Sequence, residues 1–535
     1  MSRKLAFVLA LLFLSELILL LPARSNGGNS AYMLHTEGAH LVNAQGERVH
    51  LHGVSFNNFL DSSTGWFPGG EYYTWDEAAV VNNLETLASW GCNFLGVAVW
   101  YDWFYRDAND SLSGPGTTDI GCRDAVKRVV ELAYEYGIYV GVGIYGISPG
   151  SGPVAQYVLE HSAEYVDFWL TLSNALREYS NVIYAIITEV GENEATMNGY
   201  FQVVVQAIQR IRTDGDEHVV MYHEDACGYP IRFNKPATQG GEAIRKLHEN
   251  ASNIVYDAHT YRWHGTFGGN PDYFDPASGS VTNSDGVYAE EDIMDALTYW
   301  GYLKILDEYK VPIVMWEGGA NNGVSPPNSW EKENTCWQNL LSIFNELDIG
   351  YGAFWWRPSG PWALIDGELL PTEWGQTLKN AIAARPPEIR NVSQTPLQGS
   401  VRPEDEVKVN ATVTDISGVE YVFLNYTCTN SSGTWSQTIN MTNVRGDIWH
   451  ATIPTLPYST NITYFIVASD EANNTITTEE MGYKYQYEVV PESQLFLVLP
   501  IFLTATLMAV VLLKKRKCWR KYAQSSNTRV RCARV

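Results

Sequence analysis

Two glutamates in this sequence each follow directly on a run of apolar residues. Glu189 ends the run that starts at residue 185, and Glu317 ends the run that starts at residue 312. One such glutamate, taken alone, is more simply a loop residue or the ion-pair partner of a helix. Two carboxyl groups about 5–5.5 Å apart, however, are what retaining cleavage of a glycosidic bond needs, one as acid/base and one as nucleophile. The pair predicts that chemistry, provided the fold brings both carboxylates to one cleft.

Other polar and aromatic residues stand at or just after the ends of similar apolar runs. Carboxylates and amides there can hold sugar hydroxyls, and exposed aromatic rings stack on the C–H faces of sugars. The predicted substrate-binding residues are Asn57, Tyr145, Thr188, His259, Tyr261, Trp263, Trp355 and Trp356.

A metal centre is not predicted. His223 and Glu224 form a His-Glu pair, but Cys227 stands where a zinc motif would place its second histidine. The sequence therefore predicts neither metal nor cofactor, and the pair is interpreted as a polar cluster that lines the cleft.

The elements that must position these residues alternate regularly between about residues 49 and 357. Eight short runs rich in β-branched and aromatic residues predict strands at 49–56, 94–100, 138–144, 182–188, 218–223, 254–259, 313–317 and 351–356. Segments with apolar residues three and four apart predict helices at 75–90, 123–136, 164–179, 199–213, 291–309 and 329–347.

Eightfold strand–helix alternation predicts an α/β fold, a parallel (β/α)₈ TIM barrel whose chemistry lies at the carboxyl ends of its strands. The alternative is a doubly wound open sheet, but no glycine-rich phosphate motif follows the first strand. In the barrel, the fourth and seventh strands would carry Glu189 and Glu317 to opposite sides of one mouth.

Four segments resemble glycoside hydrolase family 5, the cellulase-like family within the wider clan of barrel-fold retaining glycosidases. They are residues 41–54, 256–261, 311–318 and 352–356, and the resemblance extends from about residue 32 to 384. It implies that Glu317 is the nucleophile and Glu189 the acid/base. It also implies that His259 and Tyr261 orient the nucleophile and the sugar, and that Trp355 or Trp356 forms a sugar platform.

Three positions depart from that family's pattern. Thr188 replaces the asparagine before the acid/base, Gly96 replaces an arginine on the second strand, and Tyr145 replaces a histidine ending the third. The expected function is an endo-β-glycanase acting on β-glucan or β-mannan. The alternatives are a transglycosylase that remodels surface glycans, and a catalytically impaired sugar-binding or adhesion module.

The flanking segments predict a single-pass protein of the cell surface. Residues 1–25 are typical of a signal peptide, 31–385 form the predicted hydrolase domain, and 386–490 show the alternation of a small immunoglobulin- or fibronectin-like β-sandwich. Residues 494–513 are the predicted transmembrane helix, because the uncharged apolar run Leu495–Leu513 is long enough to span a bilayer, and the basic tail 514–535 would stay cytoplasmic. An uncleaved N-terminal anchor is the alternative to the signal peptide.

Charge and cysteine content exclude other classes. The net charge of −24 argues against nucleic-acid binding, because a polyphosphate needs clustered cations.

Nine Asn-x-Ser/Thr sequons, seven of them between residues 391 and 475, predict a glycoprotein. Seven cysteines, two of them in the tail, leave an odd five outside, so at least one thiol is predicted to be unpaired. Oligomeric state stays open.

Overall fold

The computed structural model describes most of the chain between residues 32 and 490. The described ranges are 32–55, 76–100, 122–146, 154–186, 194–223, 242–261, 272–275, 280–282, 289–299, 301–319, 330–358 and 363–490. They form two compact units, the first ending at Arg385 and also including Asp415–Ser417, the second comprising the rest from Pro386.

The first unit contains a closed barrel of eight parallel strands, which confirms the predicted fold. A hairpin of β1 (His35–Glu37) and β2 (His40–Val42) precedes it. The barrel strands are β3 (His52–Ser55), β4 (Phe94–Trp100), β5 (Tyr139–Gly146), β6 (Val182–Ala185), β7 (Val220–Tyr222), β8 (Ile254–Tyr261), β11 (Ile313–Gly319) and β12 (Gly350–Ala353). A second hairpin, β9 (Asp272–Asp275) and β10 (Ser280–Thr282), lies between β8 and β11 in the chain. The closed order is β11-β12-β3-β4-β5-β6-β7-β8, so every strand pairs with its neighbours in sequence around the barrel.

Helices follow the strands. They are α1 (Glu77–Ser89), α2 (Cys122–Glu135), α3 (Val154–Glu160), α4 (Ser162–Leu176), α5 (Glu194–Thr213), α6 (Glu242–Asn250), α7 (Glu290–Tyr299), α8 (Tyr302–Lys304) with a π-helical turn at Ile305–Tyr309, α9 (Trp330–Glu346) and α10 (Glu373–Ala383). The six predicted helices are present, although the predicted 291–309 helix is interrupted at Gly301, whose φ is +87°. Helices α3, α6 and α10 were not predicted, and α3 and α6 are short.

Strand residues alternate between two hydrophobic clusters because successive side chains point to opposite faces of a strand. Val220 and Tyr222 pack outward against the helices. Val219 and Met221 point into the barrel, where they join Trp316. Both faces are thus apolar, which is why these strands appear in sequence as nearly continuous hydrophobic runs.

The second unit consists of two antiparallel sheets. One contains β13 (Glu388–Thr395), β14 (Val407–Thr414), β18 (Ile448–Ile453) and β17 (Thr442–Arg445), in that order. The other contains β16 (Gly433–Asn440), β15 (Val419–Asn430), β19 (Asn461–Asp470) and β20 (Thr475–Thr477), with β21 (Tyr485–Glu488) also paired to β19. Alternate residues of both sheets share one hydrophobic core. A two-sheet β unit is therefore present, and its immunoglobulin-like class stays a prediction.

The predicted signal peptide, membrane segment and basic tail lie outside the described residues. Within the described ranges, no helix has the length and apolar character needed to cross a membrane. Buried Cys92 and Cys428 carry free thiols, as the odd cysteine count requires of at least one residue.

Candidate active site

Glu317 lies on β11 where the strand departs from regular pairing. Met315 pairs with Ala258 of β8, but the next pair is Glu317 with His259, so Trp316 has no residue opposite it on β8. A bulge of this kind puts two successive side chains on one face, whereas strict alternation would turn Glu317 away from the face of Trp316. Glu317 is only 7% exposed. The bulge therefore turns its carboxylate toward the barrel interior beside His259.

Trp316 occupies the barrel interior in a slot formed by glycines. A Cβ at Gly141 would lie 2.3 Å from Cζ3 of the indole, one at Gly143 3.0 Å from Cζ2, and one at Gly96 3.4 Å from Cη2. Phe94 meets the ring edge-on, with centroids 6.0 Å apart. The indole therefore needs small residues on β4 and β5. At Gly96 a Cβ would also lie 2.9 Å from Ser55 Cβ, so a larger residue such as the arginine expected from the family would be crowded by Ser55 first and by the ring next.

Three buried polar side chains continue inward from Glu317. His259 Nδ1 lies 4.0 Å from Glu317 Oε2, and His259 Nε2 lies 4.0 Å from Asp257 Oδ1. His223 Nδ1 lies 3.5 Å from Asp257 Oδ2, and its ring centroid is 4.3 Å from that of His259. These separations are longer than ordinary hydrogen bonds, so the contacts are close electrostatic ones. His259 and Glu317 are therefore neighbours in the barrel, and the roles predicted for them stay predictions.

Within the described ranges, His223, Asp257 and His259 form a group of side chains that could bind one cation. One potential ligand atom from each of His223, Asp257 and His259 lies within 4.8 Å of the others. Two imidazoles and a carboxylate suit zinc by donor type. Imidazole–carboxylate ion pairs explain the same spacing without a metal.

Trp355 follows the end of β12 and belongs to the hydrophobic cluster inside the barrel, where Phe354 and Arg357 pack on its ring. It is 4% exposed, the Phe354 ring centroid is 4.7 Å away, and the Arg357 guanidinium carbon is 3.7 Å from the ring centroid. The peptide bond between Phe354 and Trp355 is cis. Burial lowers the pKa of the Arg357 guanidinium, which nevertheless stays charged near neutral pH. A sugar would reach this indole only by displacing a neighbour such as Arg357.

Trp356 lies outside the barrel interior, which corrects the prediction that it binds substrate. It is 1% exposed, and its Nε1–H donates to Asn83 Oδ1 at 2.7 Å. Its ring meets that of Trp90 edge-on at 5.0 Å. Beyond the end of β12 the chain thus places Trp355 in the interior cluster and Trp356 among the residues that pack outside the barrel.

The remaining predicted residues lie where side chains are not described. Asn57, Thr188, Glu189 and Trp263 are outside the described ranges. Tyr145 lies on β5, and Tyr261 ends β8, where it pairs with Gly319. The roles given to these six residues stay predictions.

Sequence reasoning missed Asp257 and Trp316. Asp257 is an acidic residue inside the apolar run of β8, two residues before His259 and hence on the same strand face. That spacing was the available signal. Trp316 is part of the apolar run before Glu317, and no feature of the sequence indicates a bulge there.

A closed parallel barrel carries its active site at the carboxyl ends of its strands, and the buried Glu317 lies near that end. A family model described as cellulase (glycosyl hydrolase family 5) matches residues 42–360, which is more than half of the 535-residue chain and includes all eight barrel strands. The chain belongs to glycosyl hydrolase family 5 and is an O-glycosyl hydrolase.

Several solved structures are similar at low sequence identity. An endo-β-1,4-glucanase from Xanthomonas axonopodis pv. citri is 16% identical with a TM-score of 0.43, covering 62% of this chain and 98% of its own. A hyperthermostable endocellulase is 15% identical with a TM-score of 0.47, covering 65% and 98%. Thermotoga maritima Cel5A, in complex with mannotriose, is 14% identical with a TM-score of 0.43, covering 62% and 97%. A comparison with curated protein sequences gave no significant match.

Proposed function

We propose that this glycosyl hydrolase is a retaining endo-β-glycanase that cleaves β-linked glucan or mannan, with Glu317 as nucleophile and Glu189 as acid/base. The observation that carries the proposal is Glu317 itself. It is buried on a strand bulge at the catalytic end of the barrel, beside His259, in a chain that belongs to a cellulase family.

In this mechanism the Glu317 carboxylate attacks the anomeric carbon while Glu189 gives its proton to the leaving oxygen. Water then attacks the glycosyl-enzyme with Glu189 acting as base, and two inversions retain the β configuration. The His259 imidazole, 4.0 Å from Glu317 Oε2, supports an ionised and oriented nucleophile.

The remaining site residues would bind the sugar. Trp355 supplies an aromatic ring that becomes available if Arg357 swings away, and Tyr261 orients the sugar from the end of β8. Further contacts are assigned to Asn57, Tyr145, Thr188 and Trp263.

We also propose that the protein is anchored at the cell surface by residues 494–513, with the barrel outside. The second unit supports this, because none of its seven sequon asparagines is buried. They are Asn391, Asn410, Asn425, Asn430, Asn440, Asn461 and Asn473. A shift in mass on treatment with an amidase that removes N-glycans, and cleavage of the barrel by protease added to intact cells, would test it. An unglycosylated, protease-protected barrel would contradict it.

The deciding experiment uses the purified full-length protein on a panel of β-glucans, mannans and xylans. Reducing-sugar release and falling viscosity are expected on one of them, with retained anomers in proton NMR spectra of early products. Glu317→Gln keeps the side-chain shape but removes the charge, so turnover should fall at least about 10³-fold.

Labelling separates the competing functions. A 2-deoxy-2-fluoro glycoside with a good leaving group should label Glu317 in the wild type. Labelling elsewhere, or inverted product, would refute the mechanism. Transfer to added sugar without net hydrolysis would indicate a transglycosylase, and binding without turnover or labelling would indicate an impaired binding module.

A further inference from the structure

Asp257 is a buried carboxylate that the proposed reaction leaves without a role. It is 1% exposed and lies on β8 between Tyr256 and Ala258, both of which pack outward against the helices. Alternation along the strand therefore turns Asp257 into the barrel, on the same face as His259. A buried carboxylate is retained at a cost unless hydrogen bonds and opposite charges compensate its lost hydration.

Its strongest contact is with the backbone of the bulge. Asp257 Oδ1 accepts a hydrogen bond from the backbone N–H of Trp316 at 3.2 Å. Trp316 lies at the register shift between β11 and β8, between the pairs Met315–Ala258 and Glu317–His259. A buried N–H needs an acceptor, and here a side chain supplies it at the site of the bulge. Asp257 thus holds the peptide that immediately precedes Glu317.

Its other contacts are with imidazoles. Asp257 lies 3.5 Å from His223 Nδ1 through Oδ2 and 4.0 Å from His259 Nε2 through Oδ1. His259 in turn faces Glu317 through its other nitrogen, at 4.0 Å. Electrostatic interactions between a carboxylate and an imidazole at these separations are stronger in a buried site than in water. The carboxylate therefore acts on Glu317 by two routes, through the backbone and through His259.

We propose that Asp257 is a positioning residue for Glu317, holding the β11 bulge through Trp316 and fixing the His259 imidazole between the two carboxylates. The proposal rests on the proposed function, in which Glu317 is the nucleophile. It predicts that loss of Asp257 affects attack more than sugar binding, because an error of about 1 Å in a reacting group can cost about 10²-fold in rate.

The test compares Asp257→Asn with a matched control in the same barrel. Asn keeps an acceptor oxygen and the side-chain size but removes the charge. The control is Asp216→Asn, because Asp216 is also a buried carboxylate paired with an imidazole, His218 Nδ1, at 2.6 Å. It precedes β7 at the opposite, amino end of the barrel, so it contributes to stability alone.

Wild type, Glu317→Gln, Asp257→Asn and Asp216→Asn are purified at full length, and kcat and KM are determined per folded molecule. We expect Asp257→Asn to lower kcat about 10- to 100-fold with KM within about threefold, and to slow labelling by the fluoro glycoside equally. Asp216→Asn should lower the denaturation midpoint and leave kcat unchanged. Asp257→Leu, which removes the acceptor of the Trp316 N–H as well as the charge, is measured beside it. Wild-type kcat in both folded Asp257 variants, with Glu317→Gln inactive, overturns the positioning role and leaves the proposed function standing.

Further outcomes are equally decisive. Turnover in Glu317→Gln equal to wild type overturns both proposals. Loss of wild-type activity on EDTA treatment, restored by zinc, assigns the His223–Asp257–His259 group to a metal and overturns the positioning role. Should Asp257→Asn not fold, His223→Gln removes one of the same ion pairs, and a lower kcat at unchanged KM supports the proposal while wild-type kcat overturns it.

Discussion

Replacing Gly141 by alanine tests whether the Trp316 indole is as closely enclosed as the structure indicates. The added Cβ would lie 2.3 Å from Cζ3 and 3.0 Å from Cη2 of the indole, and 3.1 Å from Cε2 of Phe94. Carbon atoms do not approach to 2.3 Å, and Trp316 is fully buried, so the ring or the strand must shift.

The magnitude follows from overpacking, which costs about 1–3 kcal/mol for an extra methylene in a packed core. The contact here is severe, so the upper part of that range applies. Removing a strand glycine returns about 0.5–1 kcal/mol through lower backbone entropy of the unfolded chain. We expect a net loss of about 2 kcal/mol, which lowers the Tm of a unit this large by only about 2–3 °C.

The assay is urea denaturation followed by tryptophan fluorescence, with kcat measured on the folded protein. Gly143→Ala is the matched control, because its Cβ would lie 3.0 Å from the indole, and it should cost markedly less. Trp316→Phe removes the crowded part of the ring, so Gly141→Ala should cost less in that background, a coupling that a double-mutant cycle measures. Equal costs for both glycines, or strictly additive effects with Trp316→Phe, would refute the enclosed slot.

Two further predictions concern His50 and the two adjacent tryptophans. Burial is the main cause that holds the pKa of His50 well below its ordinary value of 6.5. Below pH 6.5 the unfolded chain therefore binds a proton at His50 that the folded chain does not. The free energy of unfolding is thus highest above that pH and decreases below it. The urea midpoint should drop between about pH 7 and about pH 5, and an equal drop in His50→Gln would exclude this cause. Trp356→Phe loses the hydrogen bond to Asn83 and should cost about 1–3 kcal/mol without changing KM, whereas Trp355→Ala should raise KM. A raised KM in Trp356→Phe would indicate that Trp356 does contribute to substrate binding.

Much of the fold could be predicted because its signals are local. Each barrel strand is a short apolar run, and most of the helices that follow show spacings of three and four. Parallel strands joined by helices then close in sequence order, so a barrel follows from the count of units. Boundaries were less accurate: the last predicted strand, 351–356, is observed as Gly350–Ala353 because the chain leaves the sheet before Trp355. Helix α6 has only nine residues, with few apolar residues among them, so its periodicity is too weak to predict a helix.

The amino-acid sequence by itself determined that Glu317 and His259 lie near the carboxyl ends of neighbouring strands, because strand order in such a barrel follows chain order. Only the tertiary structure decided which side chains meet. One extra residue in a strand moves every later side chain to the opposite face of the sheet, and this shift turns Glu317 inward beside Trp316. At the same place the backbone N–H of Trp316 donates a hydrogen bond to Asp257. The adjacent pair Trp355 and Trp356 shows the same limit, since identical side chains next to each other carry no sequence signal of which one faces the barrel interior. Register and packing depend on contacts between residues far apart in the chain, and those contacts exist only once the barrel has closed.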